Sequence, residues 1–157
     1  MIAGINRKLS GFPVVDERAN PETIHTLLER NRGSQPALCM RNFYDYTIWH
    51  QGIVLALDAY TLTLQLPKEE MYGLSSQMKR SAVSVPANIA EGYGREPGGD
   101  FKRFLEISLG SAFELETHLI IAERLGFIKS EDIQKYLIAL RSEQRQINSL
   151  ISRLRDG

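Results

Sequence analysis

From Phe101 to Ala122 the chain keeps a strict 3-4 spacing of apolar and small residues: Phe101, Leu105, Ser108, Ala112, Leu115, Leu119 and Ala122. A seam of this kind marks a helix that lays one edge against a neighbour. Ser108 and Ala112 are small, so that neighbour can come close. Asp100 is a suitable N-cap and Gly126 a suitable stop for a helix running to about Leu125.

One such helix needs partners, and three further segments supply them. The first runs from about Asp45 to Leu66 and is stopped by Pro67. Tyr46, Trp49, Ile53, Ala56 and Tyr60 share a face, while Val54, Leu55, Leu57, Leu62 and Leu64 make much of the remainder apolar. Between Phe43 and Leu66 only Asp45 and Asp58 carry a formal charge. A helix apolar most of the way round must be covered on more than one side, which in a bundle this small implies a second subunit. Another helix covers roughly Tyr72 to Gly92, and "GYGREPGGD" then breaks it. The last starts with Ser130 as N-cap and Glu131 and Asp132 in its first turn. Ile133, Leu137, Leu140, Ile147, Ile151 and Leu154 form its seam, with Gln144 as the one polar member. Helices of this length with short connections predict an all-α fold, an antiparallel up-down-up-down four-helix bundle over residues 40–157.

Residues 1–39 read as a mostly irregular N-terminal extension. Scattered Gly, Pro, Asn and Ser leave room for one short helix, with Asn20 as N-cap, Pro21 in the first turn, a stripe of Ile24, Leu27 and Leu28, and Gly33 as its end. The whole chain of 157 residues is long enough for one good domain. Its formal net charge of zero argues against a polyanion binder that uses its entire surface and leaves only local patches. Cys39 is the single cysteine, which rules out an internal disulfide framework. The most apolar run, "GIVLAL", is far short of a membrane span, and the N-terminus lacks a signal-peptide pattern. The expected location is cytoplasmic.

The segment "SVPANIAEGYGRE" departs from simple helix patterning. Ser81, Ser84, Asn88, Glu91 and Arg95 make a polar stripe beside the apolar Leu74, Met78, Val85 and Ile89, and Pro86 stands inside the helix. The proline removes a backbone donor and predicts a bend. Two readings of the stripe stay open: a solvated face at a kink, or a buried polar seam that fixes register or subunit contacts.

"YGLSSQMKRSAVSVPANIAEGYGR" followed by "FKRFLEISLGSAFELETHL" resembles the four-helix-bundle family of 23S rRNA intervening-sequence proteins, and "NFYDYTIWHQ" is similar to that family's opening. In the opening His50 separates Trp49 from Gln51, where the family usually has a Trp-Gln pair. The resemblance covers residues 42–127 strongly and the last helix loosely. It marks Ser84, Pro86, Asn88, Glu91 and Gly92 as a structural family motif. It implies a small bundle that assembles as a homopentamer, is often encoded within insertions in large-subunit rRNA genes, and has a largely undefined biochemical role. Related accessory proteins of diversity-generating retroelements imply nucleic acid, RNA or DNA, and a protein partner such as a reverse transcriptase. Residues 1–39 lie outside the family pattern.

The residues give no catalytic constellation. Residues 40–157 hold no Glu-x-x-His of the di-metal bundles; Glu114 and His118 share a face but lack a second such pair. His25 and His50 read most simply as surface or packing residues. No phosphate-loop motif and no candidate triad is present, so the chain reads as non-enzymatic, without cofactor or metal. Basic residues are placed more suggestively. Arg141, Arg145, Asn148, Ser152 and Arg155 share one face of the last helix. From Leu140 to Arg155 four arginines stand against Glu143 alone, an excess of three. Lys79 with Arg80 and Lys102 with Arg103 add two pairs. Two functions follow: an oligomeric nucleic-acid-associated module working through this basic surface, or a structural or protein-interaction bundle with no nucleic-acid role.

Overall fold

The computed structural model describes residue 43 and residues 46–95 and 100–155, all within the unit Met40–Gly157. The N-terminal extension, its expected helix, Cys39 and the glycines of "EPGG" lie outside the described residues. Four helices follow in order: α1 Thr47–Thr63, α2 Leu74–Gly94, α3 Phe101–Arg124 and α4 Ser130–Arg153. Each packs against its neighbour in sequence, and α4 closes the circuit against α1.

Cross-helix contacts fix the directions. As α2 advances from Arg80 through Ser84 to Val85, its partners on α3 recede from Glu114 through Ser111 to Ser108. On α1, Gly52 meets Pro86 and Tyr60 meets Lys79. On α4, Arg141 reaches Glu116 and Gln144 reaches Ala112, while Gln146 pairs with Gln51 and Asp132 with Gln65. All four interfaces are therefore antiparallel, and the bundle runs up-down-up-down.

The ends follow local chemistry. α1 stops at Thr63, three residues before the expected Leu66, because the residue before a proline avoids the helical region. Thr63 donates to the Tyr60 carbonyl at 2.7 Å, tying off the last turn. A 3₁₀ turn over Lys68–Met71 follows. α2 opens at Leu74, not Tyr72, because the Glu70 carboxylate accepts the Leu74 N–H at 2.9 Å and caps the helix from outside. Gly126, at φ +73°, ends α3 with the bond from Phe127 N–H to the Ala122 carbonyl. Two expected caps are not made. Asp100 occupies the cap position of α3 without a side-chain bond, and α4 is preceded by Lys129, with Ser130 already helical and donating to Glu123.

All seven residues of the α3 seam are buried. On α4 the seam holds except at Leu154, which is exposed past the helix end. The phase of α1 differs from expectation. Ile48, Gly52, Leu55, Ala56, Ala59 and Leu62 face the core, while Trp49 and Ile53 are half-buried and Tyr60 is exposed. An all-round apolar helix carries no internal signal of which side faces in.

Small residues set the spacing of α2. A side chain on Gly52 would begin 3.2 Å from Cβ of Pro86, so α1 lies directly on the proline. A side chain on Gly92 would begin 2.5 Å from Cβ of Phe104, where α3 crosses the end of α2. Nearby, Tyr46, Tyr93 and Phe101 meet edge to face, with ring centroids 5.2–6.0 Å apart. We expect Gly92→Ala to cost about 1–2 kcal/mol in urea unfolding, because overpacking against the Phe104 and Phe101 side chains outweighs the gain in helix propensity. Unchanged or increased stability would show that α3 can step aside.

Candidate nucleic-acid interface

The polar stripe of α2 divides along its length. Ser81 is buried and donates back to its own helix, at Gln77 O and Met78 O. Ser84 meets Ser111 at 2.9 Å, and the Asn88 amide donates to Ser84 O and Oγ at 2.8 and 2.9 Å. Ser108, fully buried on α3, donates to the Val85 carbonyl beside Pro86 at 2.9 Å. Glu91 and Arg95 form an exposed ion pair at 2.6 Å. The inner half of the stripe is thus a register device between α2 and α3, and the outer half is solvated.

The basic residues anticipated from sequence do not form one patch. Lys79 lies over the Tyr60 ring on the α1 side, and Arg80 turns the other way to Glu114 on α3. Lys102 pairs weakly with Glu106, and Arg103 stands exposed without an ion pair among the described residues. Arg141 is committed to Glu116, whose second oxygen accepts from Gln144 at 2.8 Å. Arg145 and Arg155 are exposed and carry no ion pair among the described residues. Arg153, likewise without an ion pair among the described residues, lines an open groove of about 650 Å³ with Arg145, between the start of α1 and the second half of α4. Arg153 falls outside the helical face shared by Arg141, Arg145 and Arg155, so spacing along α4 does not by itself bring it to Arg145.

Glu143 overturns the charge count. It is fully buried, and neither carboxylate oxygen has a hydrogen-bond partner. Burial alone pushes its carboxyl up to about 8. The one acid set against the α4 arginines is therefore inside the protein and protonated at neutral pH. The signal was a second stripe on α4, Tyr136, Leu140, Glu143 and Ile147, at 4-3-4 spacing. Tyr136 confirms that this stripe faces inward, donating to the Leu55 carbonyl at 2.7 Å. Its phenol is raised by burial and then by the Asp58 charge, so it stays protonated.

Glu114 and His118 stand one turn apart on α3. His118 Nδ1 is buried without a partner, and burial lowers the imidazole's proton affinity, with Glu114 opposing and Arg80 reinforcing. No group of three metal-ligating side chains converges among the described residues. No described helix is long and apolar enough to cross a membrane.

Four antiparallel helices, a proline-bearing second helix and a close small-residue contact to the third define a small helical-bundle protein. Residues 44–149 match the model of the 23S rRNA-intervening sequence protein family, and the chain belongs to that family. The fold is similar to a crystal structure of a protein of unknown function from the S23 ribosomal protein family of Bacteroides thetaiotaomicron, with a TM-score of 0.62 and 24% identity. That match covers 67% of this chain and 98% of the other. No curated protein matches the sequence.

Glu143 makes stability depend on pH with a definite sign. Below its ordinary value of 4.5 the group is protonated in both states. Between there and about 8 only the unfolded chain ionises it, so stability falls as pH rises through that window. We expect Glu143→Gln to remove up to about 1.4 kcal/mol per pH unit from this slope, read by denaturant unfolding at pH 5, 6.5 and 8. Parallel curves for the two proteins would mean that the carboxyl finds solvent or a partner.

Proposed function

We propose that the protein is a non-enzymatic, oligomeric, nucleic-acid-associated module that binds RNA through the outward side of α4. The observation that carries this reading is that no exposed acid stands between Arg141 and Arg155. Glu143 is buried, and Arg145, Arg153 and Arg155 lack ion pairs among the described residues. Family membership, with its link to rRNA gene insertions, supports RNA as the polyanion. Three free arginines on one subunit make a weak site, and repeating them around a ring of copies raises the avidity.

Association has its own support. α1 exposes Leu57, Tyr60 and Leu64, the last 81% accessible, and α3 exposes Ile107, Phe113 and Ile121. α1 and α3 sit at opposite corners of the bundle, so the two faces point apart. Unlike faces on opposite sides favour head-to-tail contacts, which close into rings. A homopentamer is the assembly that the family resemblance brings. The α1 face also favours the second reading, a protein-interaction bundle without a nucleic-acid role. Kinship with retroelement accessory proteins makes a reverse transcriptase the partner to test first.

Wild-type protein should bind a single-stranded RNA with affinity that falls as salt rises. Arg145→Glu with Arg153→Glu and Arg155→Glu should lose at least a hundredfold and flatten the salt slope by about 2, since each single-strand contact contributes about 0.7. Salt-independent or absent binding favours the protein-interaction reading. Light scattering tests the assembly separately: Leu57→Glu with Leu64→Glu should reduce the particle mass while the helical circular-dichroism signal persists. A monomeric wild type would remove the ring.

A further inference from the structure

We propose that the groove between α1 and α4 is a phosphate-binding cleft that takes two successive phosphates of a single-stranded nucleic acid. This deepens the RNA reading and rests on it for the identity of the ligand, not for the existence of the cleft. The groove is bounded by Tyr46, Thr47 and Ile48 at the start of α1 and by α4 from Ser142 to Arg153. Its charged lining among the described residues is Arg145 and Arg153, and no described acid lines it. Neither guanidinium is spent on an ion pair among the described residues, whereas Arg141, one turn before Arg145, is held by Glu116. Around them lie short polar groups suited to phosphate oxygens: the hydroxyls of Thr47, Ser142 and Ser149. Gln146 is already tied to Gln51 at 2.7 Å, which fastens the floor of the groove to α1.

The spacing selects the ligand. Arg145 and Arg153 are eight residues apart, about 12 Å along the helix. A lone phosphate can engage one of them. Two phosphates of one short strand can engage both, each in the fork geometry that guanidinium offers. The cleft is open along its length, so a continuous strand can pass through it and need not end there. Arg155 lies on the outward stripe with Arg141 and Asn148, outside the groove lining. For a dinucleotide the groove therefore makes a distinction that a general basic face does not: Arg153 is engaged, while Arg155, two residues away, is reached only by a longer strand.

The test titrates the full-length protein with the 5′-phosphorylated dinucleotide pUpU and, separately, with a 20-nucleotide single-stranded RNA. With pUpU we expect amide shift changes at Thr47, Ile48, Ser149 and Arg153, and at least tenfold weaker binding in Arg145→Gln with Arg153→Gln. Arg155→Gln should stay within twofold of wild type, and circular dichroism confirms that each variant is folded. Shift changes confined to other faces, or equal losses at Arg153 and Arg155, overturn the cleft. Should the long RNA bind the double variant as well as wild type, the cleft is wrong and the RNA reading survives. If pUpU fills the groove while the long RNA does not bind wild type, the RNA reading falls and the cleft stands as a diphosphate site. Failure of both probes on wild type sinks both.

Discussion

Pro86 rests on Gly52, and the rest of the bundle is arranged around that contact. A proline within a helix takes away one N–H and crowds the turn before it, so it normally weakens the helix that holds it. Here the ring is buried and faces a helix with no side chain at the point of contact. On the other side of α2, Ser108 donates to the Val85 carbonyl and Ser84 meets Ser111. One turn of α2 is therefore gripped from α1 by shape and from α3 by hydrogen bonds. Gly92 extends the same close approach to the end of the helix, where Phe104 crosses. The unusual run from Ser84 to Gly92 needs no catalytic explanation. Its proline, its polar groups and its final glycine each solve part of the problem of seating α2 between two neighbours.

Legibility followed the sharpness of each pattern. The α3 seam was readable residue by residue, because its strict 3-4 repeat runs unbroken from Phe101 to Ala122 and so admits one phase, and every member is buried. Gly126 was readable because its backbone conformation suits glycine. α1 was not readable in phase, since an apolar residue stands on nearly every side and only the meeting of Gly52 with Pro86 settles which face turns in. Caps misled for a related reason. A Ser or Asp at a boundary can cap, but Glu70, four residues upstream, does that work for α2, and Ser130 bonds Glu123 instead. Of the basic site, residue types were legible and groupings were not. Sequence neighbours such as Lys79 and Arg80 point to different helices, while Arg145 and Arg153, eight positions apart, share one groove.

Glu143 shows why charge counted along a sequence differs from charge presented on a surface. A carboxyl without partners inside a bundle can persist there only by keeping its proton, because the ionised form would lose its hydration with nothing in exchange. Its neutrality acts in two places at once. Inside, it removes what would otherwise be a buried charge in the layer between Tyr136 and Ile147. Outside, it leaves α4 with arginines that no acid on the same helix turn can neutralise. Arg141 is then the exception that defines the others, because its charge is met by Glu116 from α3. The free cations begin one turn later, where α4 leaves the reach of Glu116 and comes alongside the start of α1. Among the described residues, the end of the bundle at which α1 begins is thus where arginines stand without an acid partner, and that location follows from one buried acid and one cross-helix ion pair.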